Sequence, residues 1–189
     1  MGGAVSSNIY SGYAANGDAS NNTININSAL STLTSDLNIY GGYSTSGAAS
    51  NNTININSAL SIPNSALNIY AGYSANGTAS NNTININSTF NAPNSALYGN
   101  TLNVYTKGNT AANIHDFDSL NFYLPSDIAN EDTMLTLTDT SGTDLSNATI
   151  SAGIPGDSSL EAGDTVNLLT NEAGLNSTSA TFGVTAIDC

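Results

Sequence analysis

The decapeptide ASNNTININS occurs three times without a change, at residues 19–28, 49–58 and 79–88, each copy 30 residues after the last. Its surroundings repeat too, so the natural units run 8–37, 38–67 and 68–97. A fixed period in this range marks a solenoid, in which one unit cannot bury its own apolar face and must stack on the next. Residues 1–7 read as a leader before the array, and residues 98–189 as an irregular continuation of it.

Each unit alternates polar and apolar residues with period two. Thr53-Ile54-Asn55-Ile56-Asn57 puts Ile54 and Ile56 on one face and Thr53, Asn55 and Asn57 on the other, the signature of a half-buried strand. In Leu37-Asn38-Ile39-Tyr40, Leu37 and Ile39 point inward while Asn38 and Tyr40 point out. Between these strands lie Gly41, Gly42 and Gly47, which tolerate the positive φ of a tight corner. A third side runs over residues 59–66, with Leu60 and Ile62 inward and Pro63-Asn64 turning the chain; Thr34 replaces that Asn in the first unit.

Antiparallel hairpins and parallel coils both fit such a pattern, and identity between units favours the coils. In a solenoid each residue sits over its own counterpart, which rewards amide ladders and stacked aromatics, whereas a meander pairs different residues. The expected fold is therefore all-β, a right-handed parallel β-helix with 30-residue coils. Its columns are Asn25/Asn55/Asn85, Asn27/Asn57/Asn87 and Tyr10/Tyr40/Tyr70 outside, with Ile24/Ile54/Ile84 and Ile26/Ile56/Ile86 filling the core.

After residue 97 the period is interrupted by five residues, 98–102, and Leu102-Asn103-Val104-Tyr105 restates the Leu-Asn-Ile-Tyr strand. Strand-like pieces follow at 112–114, 120–124, 134–138, 148–150, 165–169 and 181–186, separated by Gly, Asp, Asn and Ser. No segment reads as a helix.

Charge is distributed unevenly. Net charge is −13, with one lysine or arginine in all, and of the acids only Asp18 and Asp36 lie in the array. Binding to nucleic acid or anionic lipid depends on Lys and Arg neutralising negative charge, so neither is an expected partner. Cys189 is the only cysteine, which excludes an intrachain disulfide and a cysteine-based metal site. The opening MGGAVSSNIY lacks basic and apolar regions of a signal peptide, and no apolar run reaches the roughly 20 residues that cross a bilayer.

Catalysis would have to lie in the acidic part. In His115-Asp116-Phe117-Asp118 a strand would place Asp116 and Asp118 on one face, as a carboxylate pair or half a metal site. Solvated turns explain these acids better, as they explain Asp127, Glu131, Asp132 and Asp157 among Ser, Pro, Asn and Gly. Calcium-repeat, phosphate-loop, dinucleotide and zinc signatures are absent, and one histidine with no serine motif gives no triad. No metal or organic cofactor is expected.

The tyrosine and asparagine columns are the candidate contact residues. Aromatic rings and amides are what carbohydrate recognition uses, although stacking within the coil accounts for both residue types by itself. The Thr23/Thr53/Thr83 column suggests an ice-binding face, but a single threonine column is a weak form of one.

The stretch NIYGGYSTSGAASNNTININS resembles the passenger repeats of autotransporter (type V secreted) adhesins of Gram-negative bacteria, through Tyr40, Gly41, Gly42, Tyr43 and residues 51–56. Residues 116–125 and 132–137 look like the segment such passengers place after their repeats. The resemblance spans about residues 8–169. It implies a β-helix displayed outside the cell, attached to the outer membrane where a translocator barrel is present, and acting in adhesion or aggregation through glycan, host-surface or self contacts. No binding residue of the family carries over. A carbohydrate-active enzyme using Asp116 and Asp118 is the competing expectation, and a self-assembling matrix fibre the third.

Overall fold

The structure is a computed structural model and describes residues 6–33, 35–176 and 181–187, the last as backbone alone. Thr34, Cys189 and most of the leader lie outside the described residues. All the secondary structure described is strand, and every pairing is parallel. The chain winds as a β-solenoid with three long sheets along its sides and a short two-stranded one, Thr143–Asp144 on Leu175–Asn176.

The first side stacks Ile9–Ala14, Leu37–Ser44, Leu67–Tyr70, Leu97–Tyr98 and Ile114–His115, with Tyr73–Ser74 also paired to Leu37–Ser44. The second side has seven strands: Thr23–Ile26, Thr53–Ile56, Thr83–Ile86, Thr101–Val104, Ser119–Tyr123, Thr149–Pro155 and Thr181–Ile187. The third runs from Leu60–Ser61 through Phe90–Ala92, Asn109–Ala111 and Thr133–Leu137 to Asn167–Asn171. Through the array the register is the one the repeat demands, with Ile24 on Ile54 on Ile84 and Tyr10 on Tyr40 on Tyr70. Only like-on-like stacking of equal coils gives that pattern.

The alternation sorts side chains as expected. Leu37, Ile39, Ile54, Ile56, Leu60, Ile62, Ile84 and Ile86 are buried, joining one continuous core that runs on through Phe90, Leu102, Phe122 and Met134 to Ile150. Ile24 and Ile26 are only half-buried, because a single coil covers them.

The corner glycines have a different role from the one their conformational freedom suggests. Positive φ belongs instead to Asn21, Asn51 and Asn81, at 63°, 57° and 56°, which turn the chain into the second side. Asn tolerates this left-handed region better than other residues with a β-carbon. Gly42 is required by close approach: a β-carbon there would overlap the Ala19 carbonyl oxygen and the Asn52 amide. Gly12 and Gly72 stand in the same relation to Asn22 and Asn82.

After the array the coil shortens. Thr83 pairs with Thr101 and Thr101 with Ser119, a spacing of 18 residues. Leu97 and Tyr98 continue the first side over Ile69 and Tyr70, and Leu102-Asn103-Val104 continues the second side over Ile84-Asn85-Ile86. The expected restatement of Leu-Asn-Ile-Tyr at 102–105 is thus corrected: those residues belong to the Thr-Ile-Asn-Ile strand. What the short coil lacks is the corner segment. In the third unit the chain takes the path from Gly72 to Asn81 between the two sides, whereas Tyr98-Gly99-Asn100-Thr101 crosses directly. Apolar-polar alternation reads the same in both strands, so pattern alone could not separate them. From Ser119 to Thr149 the coil is long again.

Candidate functional site

The outward columns are continuous side-chain ladders. Asn55 donates through Nδ2 to Asn25 Oδ1 at 2.7 Å, and Asn85 to Asn55 at 2.7 Å. The ladder outlasts the array, because Asn103 donates to Asn85 at 2.7 Å and Asn121 to Asn103 at 2.9 Å. A shorter ladder joins Asn57 to Asn27 and Asn87 to Asn57, each at 2.9 Å. Both lie on the solvent side of the second sheet, where each amide satisfies its neighbour and leaves further hydrogen-bonding capacity to solvent.

Tyrosines cover the first side. Tyr10, Tyr40 and Tyr70 stack at centroid separations of 5.0 and 4.9 Å, Tyr98 follows at 4.3 Å, and the His115 ring extends the column at 4.7 Å. Beside it runs a second column, Tyr13, Tyr43 and Tyr73, at 5.3 and 5.2 Å. The columns meet edge to face, as between Tyr40 and Tyr43 at 85°. Offset stacks and T-shaped pairs are the arrangements that the ring quadrupole favours. Burial, followed by the charges that Tyr98 and Tyr40 would carry, pushes the Tyr70 phenol up to about 12. The Tyr40 phenol is raised by burial and then by Tyr10, Tyr43 and Tyr73. Tyr40 and Tyr70, at the centre of the strip, are therefore neutral at physiological pH.

The sequence reading missed a third ladder, which is inside. Asn52 and Asn82 are fully buried. The Asn22 backbone N–H and side-chain Nδ2 both donate to Asn52 Oδ1, at 3.0 and 2.9 Å. Asn52 Nδ2 in turn donates to Ala19 O at 3.1 Å and Asn82 Oδ1 at 3.0 Å. Asn82 repeats this with Ala49 O, 2.8 Å, and Asn100 Oδ1, 3.3 Å. Asn100 Nδ2 then donates to Asp118 Oδ2 at 3.4 Å. The signal was present: Asn52 shares the parity of Ile54 and Ile56, so period two points it inward. A buried amide that satisfies the turning backbone of two coils explains why asparagine recurs there at 22, 52, 82 and 100.

Asp116 and Asp118 do not form the strand-borne pair. Both are exposed and lie in the turn between Ile114–His115 and Ser119–Tyr123, with buried Phe117 between them and Asp116 at φ 65°. They share a groove of about 460 Å³ with His115, Asp144 and Ser146. Asp118 there ends the internal amide ladder, and the His115 ring is stacked on Tyr98.

Among the described residues most of the other acids sit in surface turns, while Asp144 ends the short strand Thr143–Asp144. Lys107 Nζ lies 2.9 Å from Asp132 and 3.5 Å from Asp127, and its hydrogen bond to Asp132, helped by the Ala129 N–H, holds that carboxyl below the usual range. Asp139 and Asp144 are lowered by the backbone N–H groups of Ser141 and Ser146. Among the described residues no three His, Cys, Asp or Glu side chains gather as a metal site, and no helix is long and apolar enough to cross a membrane.

Comparison with protein-family models, with curated proteins and with solved structures finds no match to this chain.

Proposed function

We propose that this chain is a non-catalytic surface solenoid acting by contact, the stalk and adhesive face of an autotransporter-like adhesin outside a Gram-negative cell. The observation that carries the reading is the run of outward Asn and Tyr ladders at coil spacing, about 4.8 Å per layer, on sides almost free of charge. Such a surface offers many identical weak contacts and few groups for proton transfer, so its strength comes from copy number. Its partners are glycans, a host surface or other copies of the chain.

The groove at His115, Asp116, Asp118 and Asp144 supports the competing enzyme reading, since paired carboxylates cleave glycosidic bonds. Against it stand the hydrogen bond from Asn100 to Asp118 and the stacked His115 ring.

Beads carrying the chain in many copies, and beads carrying a version lacking residues 38–67, separate these readings. Deleting one whole unit leaves like residues over like. Attachment to glycan-coated or abiotic surfaces is expected for the full chain and should weaken for the shortened one. Release of reducing ends from polysaccharide, without attachment, would replace the adhesin with an enzyme.

A further inference from the structure

The two tyrosine columns end differently. Tyr98 and His115 carry the first one on past the array. The second stops at Tyr73, because the short coil has no corner segment to supply another ring. One face of Tyr73 is covered by Tyr43, nearly parallel at 22°, and Tyr70 meets it edge to face at 79°. Among the described residues no ring covers its other face, and Tyr73 borders a notch of about 410 Å³ lined also by Tyr70, Ser74, Tyr98, Asn100 and Asp116.

The polar groups of this notch are not equally free. Ser74 Oγ donates to Gly47 O and accepts from Gly77 N–H, and Asn100 is held in the internal ladder. Asp116 is exposed and takes no hydrogen bond from the described residues. A flat aromatic face beside an unengaged acceptor, in a notch of small-ligand size, is the arrangement that grips a sugar ring: C–H groups on the aromatic face, hydroxyls to the carboxylate.

We propose that the step between the long and short coils binds one pyranose unit of a neutral glycan, stacked on Tyr73 with hydroxyls donated to Asp116. This rests on the contact reading of function and turns it from a repeated surface into a single site per chain. Neutral sugars are favoured because Asp116 and a net charge of −13 repel uronic and sialic acids. A quaternary ammonium fits less well: such cations are caged by several ring faces, and here Tyr70 and Tyr98 are stacked on each other and only Tyr73 leaves a face open.

Titration calorimetry of the full chain with cello-, malto- and manno-oligosaccharides tests this, with oligogalacturonate and tetramethylammonium as the anionic and cationic probes. At least one neutral series should bind at one site per chain. Tyr73→Ala should weaken it about tenfold or more, Tyr73→Phe should retain it, and Tyr13→Ala, at the far end of the same column, should leave it unchanged. Asp116→Gly, which removes the carboxylate and suits the φ of 65° at that turn, should weaken it as well and decides the matter if Tyr73→Ala fails to fold. Absence of binding to every neutral series, equal losses in Tyr13→Ala and Tyr73→Ala, or Tyr73-dependent binding of tetramethylammonium alone would each overturn the site. Bead attachment that survives Tyr73→Ala while oligosaccharides do not bind removes the notch and keeps the contact reading; the reverse pattern keeps the notch and removes that reading.

Discussion

Asn52→Asp should destabilise the fold by about 3–5 kcal/mol, against about 1 kcal/mol or less for Asn55→Asp three residues along. The substitutions are chemically identical and differ only in which way the side chain points. Asn52 is fully buried, and its Nδ2 faces two acceptors, Ala19 O and Asn82 Oδ1. A carboxylate would set oxygen against oxygen at both contacts, in a place water does not reach. Asn55 lies on the solvent side, where an aspartate still accepts from Asn85 and water screens its repulsion from Asn25 Oδ1. Thermal or denaturant unfolding of the two variants reads the difference directly. Equal losses would contradict the inward assignment of Asn52.

Ile56→Asp should have an effect as large or larger, removing the cooperative unfolding of the coils on both sides. Ile56 is fully buried and stacks between Ile26 and Ile86, so the change removes a filled volume worth about 2–5 kcal/mol and adds an unpaired buried carboxylate. A solenoid transmits such damage, because each coil is held mainly by its neighbours. Ile24→Asp should be milder, since Ile24 is half-buried with one coil against it. Circular dichroism melts of the two variants provide the check. A melting temperature for Ile56→Asp matching the parent would place that side chain outside the core.

The parallel solenoid was legible because identity at constant spacing is hard to explain any other way, and period two fixed which residues of each strand face the core. Both outer amide ladders and the Tyr10 column follow from those two facts. The internal Asn52 and Asn82 ladder escaped because asparagine is read as a surface residue, although its parity with Ile54 marked it as inward. The second tyrosine column escaped because Tyr43 follows two glycines in a stretch that reads as a corner, whereas the strand runs on through it to Ser44. The coil shortening at Tyr98 escaped for a sharper reason: Leu-Asn-Val resembles Leu-Asn-Ile and Ile-Asn-Ile equally, so only the deleted corner segment distinguishes the registers. With that register unread, the notch beside Tyr73 was invisible in the sequence.

Disulfide trapping between paired cysteines measures the register at this step. Neighbouring strands lie about 4.8 Å apart, within the reach of a disulfide. Two double variants are compared, each with Cys189→Ser: Asn85→Cys with Asn103→Cys, and Asn68→Cys with Asn103→Cys. The structure pairs Asn85 with Asn103 on the second side, while Asn68 pairs with Asn38 on the first. Rapid intrachain oxidation of the 85/103 pair and free thiols in the 68/103 pair are expected. Rapid oxidation of 68/103 with free thiols at 85/103 would mean that Leu102-Asn103-Val104-Tyr105 lies over Leu67-Asn68-Ile69-Tyr70, and the short coil would not exist.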